Sequence, residues 1–415
     1  MISNRSLVWR NEDGGAGAFD DIDPVTGKYV NREVGIEDMN NSSTEIRLLH
    51  HYRMGKISST LSSGIRYTYA WFLKQSGGEG TAGTDFDLSV TGEFGKDIKF
   101  TTTNVAPFAE NIFRLNNRFS ITPGFRMEYL VSTSNGYKIK SGVKLPSHEN
   151  RKRLVPLLGV GTEYKLTPNT NLYANLSQAY RPITYSDLTP FGVTSKIDPD
   201  LKDASGYNAD LGYRGTVKNY LNFDMGFFYM AYQNRIGKIL VSPASGPAYS
   251  LRTNVANSVH KGLESYVEFN VLKYLDMKSK KGLSIFNSLA LIDAKYKSGE
   301  FKGNRVETAA KYINRLGITY NDQKLSGTLQ MSNIGDAYGD ATNLRLSEDP
   351  VAGYIPAYTV LDASFTYRLL RYSVKAGMNN IADKKYFTQR ADEYPGPGII
   401  PSIGRSFYVG ITAKF

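Results

Sequence analysis

Apolar and polar residues alternate along the last strand-length run of the chain. Phe407, Val409, Ile411, Ala413 and Phe415 fall on one face; Ser406, Tyr408, Gly410, Thr412 and Lys414 fall on the other. The same period of two recurs at 118–130, where Phe119, Ile121, Phe125, Met127 and Tyr129 oppose Ser120, Thr122, Gly124, Arg126 and Glu128. It recurs again at 221–232, 325–332 and 357–368. A period of two specifies a sheet with one apolar face. About sixteen such runs can be counted, roughly 4–10, 43–54, 58–73, 102–114, 118–133, 151–166, 170–181, 206–216, 220–235, 254–272, 283–296, 307–321, 324–338, 357–369, 371–387 and 404–415. Two are ambiguous: His50 meets the apolar side in one register of 43–54, and 283–296 alternates poorly.

The connections take turns in length. Short ones fall near 55–57, 115–117, 167–169, 217–219, 322–323 and 370, with a longer one at 273–282. Long polar stretches fall at 11–42, 74–101, 134–150, 182–205, 236–253, 297–306, 339–356 and 388–403. A large soluble all-β protein would bury the same apolar faces, so alternation alone leaves both architectures open. Loop parity and aromatic content favour a membrane barrel, whose turns are short on the periplasmic side and long outside. The charges in the clear strands (Arg126, Glu128, Asp224, Asp362, Arg368 and Lys375) keep to the polar face. This matters because a Lys or Arg facing lipid at mid-bilayer costs ~2–4 kcal/mol. The expected fold is therefore all-β: an antiparallel transmembrane β-barrel, read as one domain over residues 1–415 without a linker.

No run approaches the ~20 apolar residues of a spanning helix, and Met1-Ile-Ser-Asn-Arg carries no signal-peptide pattern. The 415 residues contain no Cys and only four His, which excludes a disulfide framework, a thiolate zinc site and a cysteine nucleophile. His50 and His51 point to opposite strand faces, and Asp20, Asp21 and Asp23 lack the EF-hand spacing, so neither group is read as a metal site. No G-x-S-x-G, H-E-x-x-H or P-loop occurs. The formal net charge of +11 fits anionic ligands or an anionic membrane surface. The basic residues are scattered without a nucleic-acid module, so no nucleic-acid partner is expected.

Several segments resemble the TonB-dependent outer-membrane receptors. They are Gly377-Met-Asn-Asn-Ile-Ala-Asp-Lys-Lys-Tyr386-Phe387, Tyr394-Pro-Gly-Pro-Gly398 and Gly404-Arg-Ser-Phe-Tyr-Val-Gly410 through to Phe415. Asn171–Pro182, Asp200–Gly215 and Val259–Glu264 are similar to further barrel-strand motifs. Tyr394–Gly398 leans towards the ferric-dicitrate branch. The resemblance implies a 22-stranded barrel with an N-terminal plug, of which this chain would supply the last sixteen strands without plug, coupling box or signal peptide. It also implies a transported ferric chelate such as iron citrate, a TonB-type energy-coupling protein, and contact with outer-membrane lipid and lipopolysaccharide. No catalytic residue, metal ligand or resident cofactor is implied. Arg makes bidentate bonds to carboxylates. The ligand-contact candidates are thus the loop or rim residues Arg181, Arg235, Arg252, Arg345 and Arg390, with Gln389 and Tyr394 beside them. Tyr180, Tyr229, Tyr367 and Tyr386 read as interfacial belt aromatics. Phe407, Val409, Ile411 and Phe415 read as the outer-membrane assembly signal. A passive porin-like or structural barrel is the alternative; an outer-membrane enzyme would need a constellation that the sequence does not contain.

Overall fold

The computed structural model describes residues 2–12, 22–83, 85, 87–140, 142–188, 195–241, 243, 245, 249–347, 352–391 and 398–414. Tyr394, Asp20, Asp21 and Phe415 lie outside them. The chain divides into two compact units, one of Met1–Phe113 with Thr122–Leu158, the other of Arg114–Ile121 with Gly159–Phe415.

The first unit holds β1 (Ile2–Glu12), β2 (Glu33–Met54), β3 (Ile57–Gly80), most of β4 (Val90–Arg114) and β5 (Phe119–Lys140), and the start of β6 (Val143–Thr167). Successive strands pair antiparallel: Ile2–Glu12 against Thr44–Val34, and Glu33–Met54 against Glu79–Ile57. The turn from β2 to β3 is Gly55-Lys56, and Gly55 takes the left-handed φ of 59° that a two-residue hairpin demands. His50 does lie on the apolar face. It stacks on Tyr52 with centroids 5.7 Å apart, near the turn end of the strand and in line with the exposed Ile46 and Leu48. On the opposite face the Arg47 and Arg126 guanidinium groups both lie over the Phe108 ring.

The second unit continues with the rest of β6, then β7 (Thr170–Arg181), β8 (Ser195–Ile197), β9 (Ala204–Val217), β10 (Leu221–Val241), β11 (Tyr249–Asn270) and β12 (Gly282–Tyr296). After these come β13 (Tyr312–Asn321), β14 (Leu325–Ile334), β15 (Ala337–Tyr338), β16 (Tyr354–Ile355), β17 (Tyr358–Leu369), β18 (Tyr372–Asn379), β19 (Phe387–Ala391), β20 (Gly398–Pro401) and β21 (Ser406–Ala413). The short helices α1 (Tyr185–Leu188) and α2 (Val271–Leu275) lie in connections. The β15–β16 and β19–β20 hairpins stand apart in loops, and β8 runs parallel to β11. Leaving these aside, sixteen strands run as an antiparallel meander.

Registers in this unit place the faces as the alternation predicts. Leu211, Met225, Phe227, Leu263, Leu291, Leu316, Ile318, Leu329, Phe365, Val374, Val409 and Ile411 share the outward face. Phe227, Leu211, Ile318, Phe407, Val409 and Ile411 are exposed to 63, 56, 47, 81, 69 and 73%. Asp210, Asp224, Glu264, Arg315, Asp362 and Lys375 share the other face. The poor alternation of 283–296 has a local cause. Asn287 interrupts the outward face but donates to Asn314 Oδ1 at 2.7 Å, so its amide is satisfied within the sheet.

Loop parity holds in the order of connections but not in their lengths. The stretch 134–150 is not a loop: β5 runs to Lys140 and β6 restarts at Val143. β2 and β3 likewise extend into 11–42 and 74–101, and β10 and β11 into 236–253. These extensions carry polar residues on both faces with only a few buried apolar ones, such as Val34 and Ile98, so the sequence there loses its alternation although the ladder continues. Arg235 and Arg252 consequently sit on strands β10 and β11 rather than in loops. Conversely, 307–311 is loop, and the strand begins at Tyr312.

Large rings on the polar face pack over glycines. A Cβ at Gly212 would lie 2.3 Å from Tyr173 Cζ, and the Tyr173 hydroxyl donates to Asp224 Oδ1 at 2.9 Å. At Gly410, on the same face, a Cβ would meet nothing within 4 Å. Gly212→Val should therefore cost about 1–3 kcal/mol of unfolding free energy in a denaturant titration of the folded chain, while Gly410→Val should stay within about 0.5 kcal/mol. Equal effects would show that the ring–glycine contact is immaterial.

Candidate functional site

All five arginine candidates lie at the long-loop end of the second unit, but they meet different partners. Arg181 closes β7 and donates from Nη2 to both oxygens of Asp187, at 3.1 and 2.9 Å. Arg252 approaches the same carboxylate from β11, with Nη1 3.5 Å from Oδ1. Asp187 is only 1% exposed and also accepts from the Thr184 N–H at 3.0 Å and the Thr184 hydroxyl at 2.9 Å. The connection carrying α1 is pinned at both ends. Asp203 accepts from Ile183 N–H and Tyr180 Oη at 2.8 and 2.6 Å, and Asp198 accepts from Thr253 Oγ1 at 2.5 Å.

Arg235 donates to Glu307 Oε1 at 2.5 Å, and the Tyr296 hydroxyl donates to the other oxygen. The group sits beside a small core of Ala256, Ala294, Tyr296 and Val306, with Phe301 packed against it. Burial pushes the Glu307 carboxyl up, but Arg235 and the Tyr296 hydroxyl outweigh it and hold it below the usual carboxylate range. Next to it, Arg305 binds Asp336 Oδ2 at 2.9 Å and the carbonyls of Asp336 and Ala309 at 2.7 and 2.9 Å. This ties the β12–β13 connection to the β14–β17 connection.

The remaining two arginines converge on Tyr354. The exposed Arg345 guanidinium lies 4.4 Å from the Tyr354 ring centroid. Arg390 Nη2 donates to the Tyr354 carbonyl at 3.3 Å, and its guanidinium lies 5.6 Å from the Phe387 ring. Tyr354 in turn packs edge-on against Tyr338, 5.8 Å between centroids, and Arg305 lies over Tyr338 at 5.4 Å. Cations and rings thus alternate from the β12–β13 connection through β15–β16 to β19. Gln389 is exposed beside Arg390.

The structure therefore separates residues that the sequence treats alike. Arg181, Arg235 and Arg252 are paired with internal carboxylates, whereas Arg345 is exposed and rests on an aromatic face. The partners Asp187, Glu307 and Tyr354 carry no sequence signal, because loop folding alone brings them near; Arg235 and Glu307 are 72 positions apart. Of the expected belt aromatics, Tyr229 stacks on Tyr207 at 6.0 Å and Tyr386 on Tyr358 at 4.3 Å. On the polar face two open cavities of about 570 and 460 Å³ share Asp224 and Tyr266 in their linings. Among the described residues no group of three or more His, Cys, Asp or Glu is placed to hold a metal ion.

A model of the "TonB dependent receptor-like, beta-barrel" family matches residues 3–381. A metal-pseudopaline receptor of Pseudomonas aeruginosa, CntO, is 22% identical over 408 residues, covering 94% of this chain and 53% of the relative. A probable TonB-dependent receptor of Bordetella pertussis, BfrD, is 22% identical over 302 residues, covering 70% of this chain and 38% of the relative. The chain spans about half the length of the first of these relatives. Among solved structures, the unliganded ferric citrate transporter FecA superposes with a TM-score of 0.75 at 21% identity, over 93% of this chain and 56% of that one. The siderophore receptor PiuA of Acinetobacter baumannii superposes with a TM-score of 0.71 at 17% identity, over 100% of this chain and 61% of that one. These likenesses concern the fold.

The Asp187 latch has a definite pH dependence. Burial raises this carboxyl, but the Thr184 N–H, the Arg181 guanidinium and the Thr184 hydroxyl together hold it below its ordinary 3.8. A lowered folded value means that the latch contributes fully above the ordinary carboxylate range and is lost as pH falls through the lowered value. Amide exchange at Thr184, corrected for intrinsic rate, should be protected at neutral pH and lose protection only below that range. Asp187→Asn should remove the pH step and weaken protection by on the order of 1–3 kcal/mol. A step in the neutral range, or none in the parent chain, would contradict the latch.

Proposed function

The chain belongs to the family of TonB-dependent receptor β-barrels, and from that premise we propose that it forms the greater part of the membrane domain of a receptor for a ferric chelate, iron(III) dicitrate or a related siderophore. The family consists of receptors rather than enzymes, and its barrels lie in the cell outer membrane. We read residues 1–415 as one barrel domain, coupled in the whole protein to a TonB-type partner and bordered by outer-membrane lipid and lipopolysaccharide. Phe407, Val409, Ile411 and Phe415 serve as the assembly signal in this reading.

The observation that carries the choice of ligand class is the Arg345–Tyr354–Arg390 arrangement. Two guanidinium groups are oriented by rings at the loop end, and an Arg fork suits carboxylate oxygens. In this reading Gln389, next to Arg390 in sequence, adds a neutral donor, and Tyr394, five positions further along the sequence, adds a hydroxyl. Arg181, Arg235 and Arg252 act in this reading by shaping the rim, with any ligand contact made in exchange for an internal carboxylate. A passive pore has less support, since the family match is to receptors.

Titration calorimetry of the folded chain in detergent micelles tests this reading. Ferric dicitrate should bind more tightly than a ferric hydroxamate of similar size. Arg345→Ala and Arg390→Ala should each weaken it roughly tenfold, or ~1.4 kcal/mol. Equal binding of both chelates, or arginine variants indistinguishable from the parent, would reject the carboxylate-rich ligand class. Ligand-independent conductance in a planar bilayer would point to the passive pore instead.

A further inference from the structure

Six of the turns opposite the long-loop end are two to four residues long, but the one between β11 and β12 runs from Val271 to Lys281 and contains α2. Its fold is well determined by its own hydrogen bonds. Asn270 caps α2 by accepting from the Lys273 N–H at 3.0 Å, and the Asp276 N–H closes onto the Leu272 carbonyl at 2.9 Å. Asp276 then accepts from the Lys278 N–H at 2.9 Å, and Lys273 Nζ donates to the Ser279 carbonyl.

The direction of this turn is informative. Tyr274 packs against Phe269 at 5.4 Å and Tyr220 at 5.2 Å. Phe269 stands opposite Leu221 and in phase with Leu263 and Val267 on the outward, apolar face. The helix therefore folds back over the lipid-facing side of the sheet, not over the polar side. Tyr274, Leu275 and Met277 remain 57, 73 and 44% exposed there. Four lysines (Lys273, Lys278, Lys280 and Lys281) accompany them against one acid, Asp276, although Lys281 also lies near Asp322 of the next turn. Tyr320, at the same end of β13, donates to Asp322 at 2.9 Å and extends the aromatic row.

We propose that residues 271–281 form a clamp for the phospholipid surface of the periplasmic leaflet, with Tyr274, Leu275 and Met277 seated at the acyl boundary and Lys278, Lys280 and Lys281 on anionic head groups. The apolar part is continuous with the lipid-facing band, and the basic part supplies the charge complement. Aromatics at the interface and lysines at the phosphate level are the residue types that this depth favours. Each lysine at an anionic surface favours contact about fivefold.

The chain has no cysteine, so Met277→Cys carries a single environment-sensitive fluorophore. The full chain is inserted in vesicles of phosphatidylcholine alone or with about a third phosphatidylglycerol, each containing head-group nitroxide lipid. The probe should be quenched by the nitroxide in both and shielded from aqueous iodide. Quenching should be several-fold stronger in anionic vesicles, and Lys278→Gln/Lys280→Gln/Lys281→Gln should abolish that increment while leaving the quenching in neutral vesicles in place. A probe open to iodide and untouched by nitroxide would overturn the proposal. So would quenching independent of lipid charge, which would leave an aromatic contact without a head-group clamp.

Discussion

Hydrocarbon offers no hydrogen-bond partner, and the rest of this structure follows from that constraint. Each backbone N–H and C=O at membrane depth must be satisfied by a neighbouring strand. The antiparallel meander does so within each unit by pairing successive strands, as β2 with β3, β9 with β10 and β10 with β11. The same constraint sorts side chains: Asp210, Asp224, Glu264, Arg315, Asp362 and Lys375 stay on one face, while Leu211, Phe227, Ile318, Val409 and Ile411 occupy the other. Where a polar group does appear outward, as at Asn287, a hydrogen bond to Asn314 on the next strand removes most of its cost.

Beyond the membrane the constraint relaxes, and local chemistry takes over. The strand extensions keep the ladder and add contacts of their own, such as the buried Ile98 and Phe100 and the Lys74–Glu37 ion pair. The connections are instead ordered by charge: Arg181 and Arg252 on Asp187, Arg235 on Glu307, and Arg305 on Asp336. These half-buried pairs stabilise less than their geometry suggests, since desolvation offsets much of the attraction. Their effect is to fix where the loops stand. That positioning brings Arg345 and Arg390 to Tyr354, the one on its ring and the other on its carbonyl.

What was legible in the sequence follows the same division. The strands with one wet and one greasy face were readable residue by residue; β21, with Phe407, Val409 and Ile411 outward, is the clearest case. Segment 134–150 read as a loop because Lys138, Lys144, His148 and Glu149 break any alternation, yet the backbone there is strand up to Lys140 and again from Val143. The arginine-rich rim was visible as composition. Its division into arginines paired with carboxylates and arginines gathered at Tyr354 was not, because Asp187 and Glu307 reach their partners only through the folding of connections with no periodic signal.

The account stands on lipid, not protein interior, lying against the outward face. Spin labels placed singly at each position from Ser406 to Ala413 of the membrane-inserted chain test this most directly, by their collision rates with oxygen, which concentrates in hydrocarbon, and with a water-soluble nickel chelate. Positions 407, 409 and 411 should show high oxygen and low nickel accessibility, with the opposite trend at 408, 410 and 412. Low accessibility to both reagents at 407, 409 and 411 would place those side chains inside a protein core and contradict the membrane assignment.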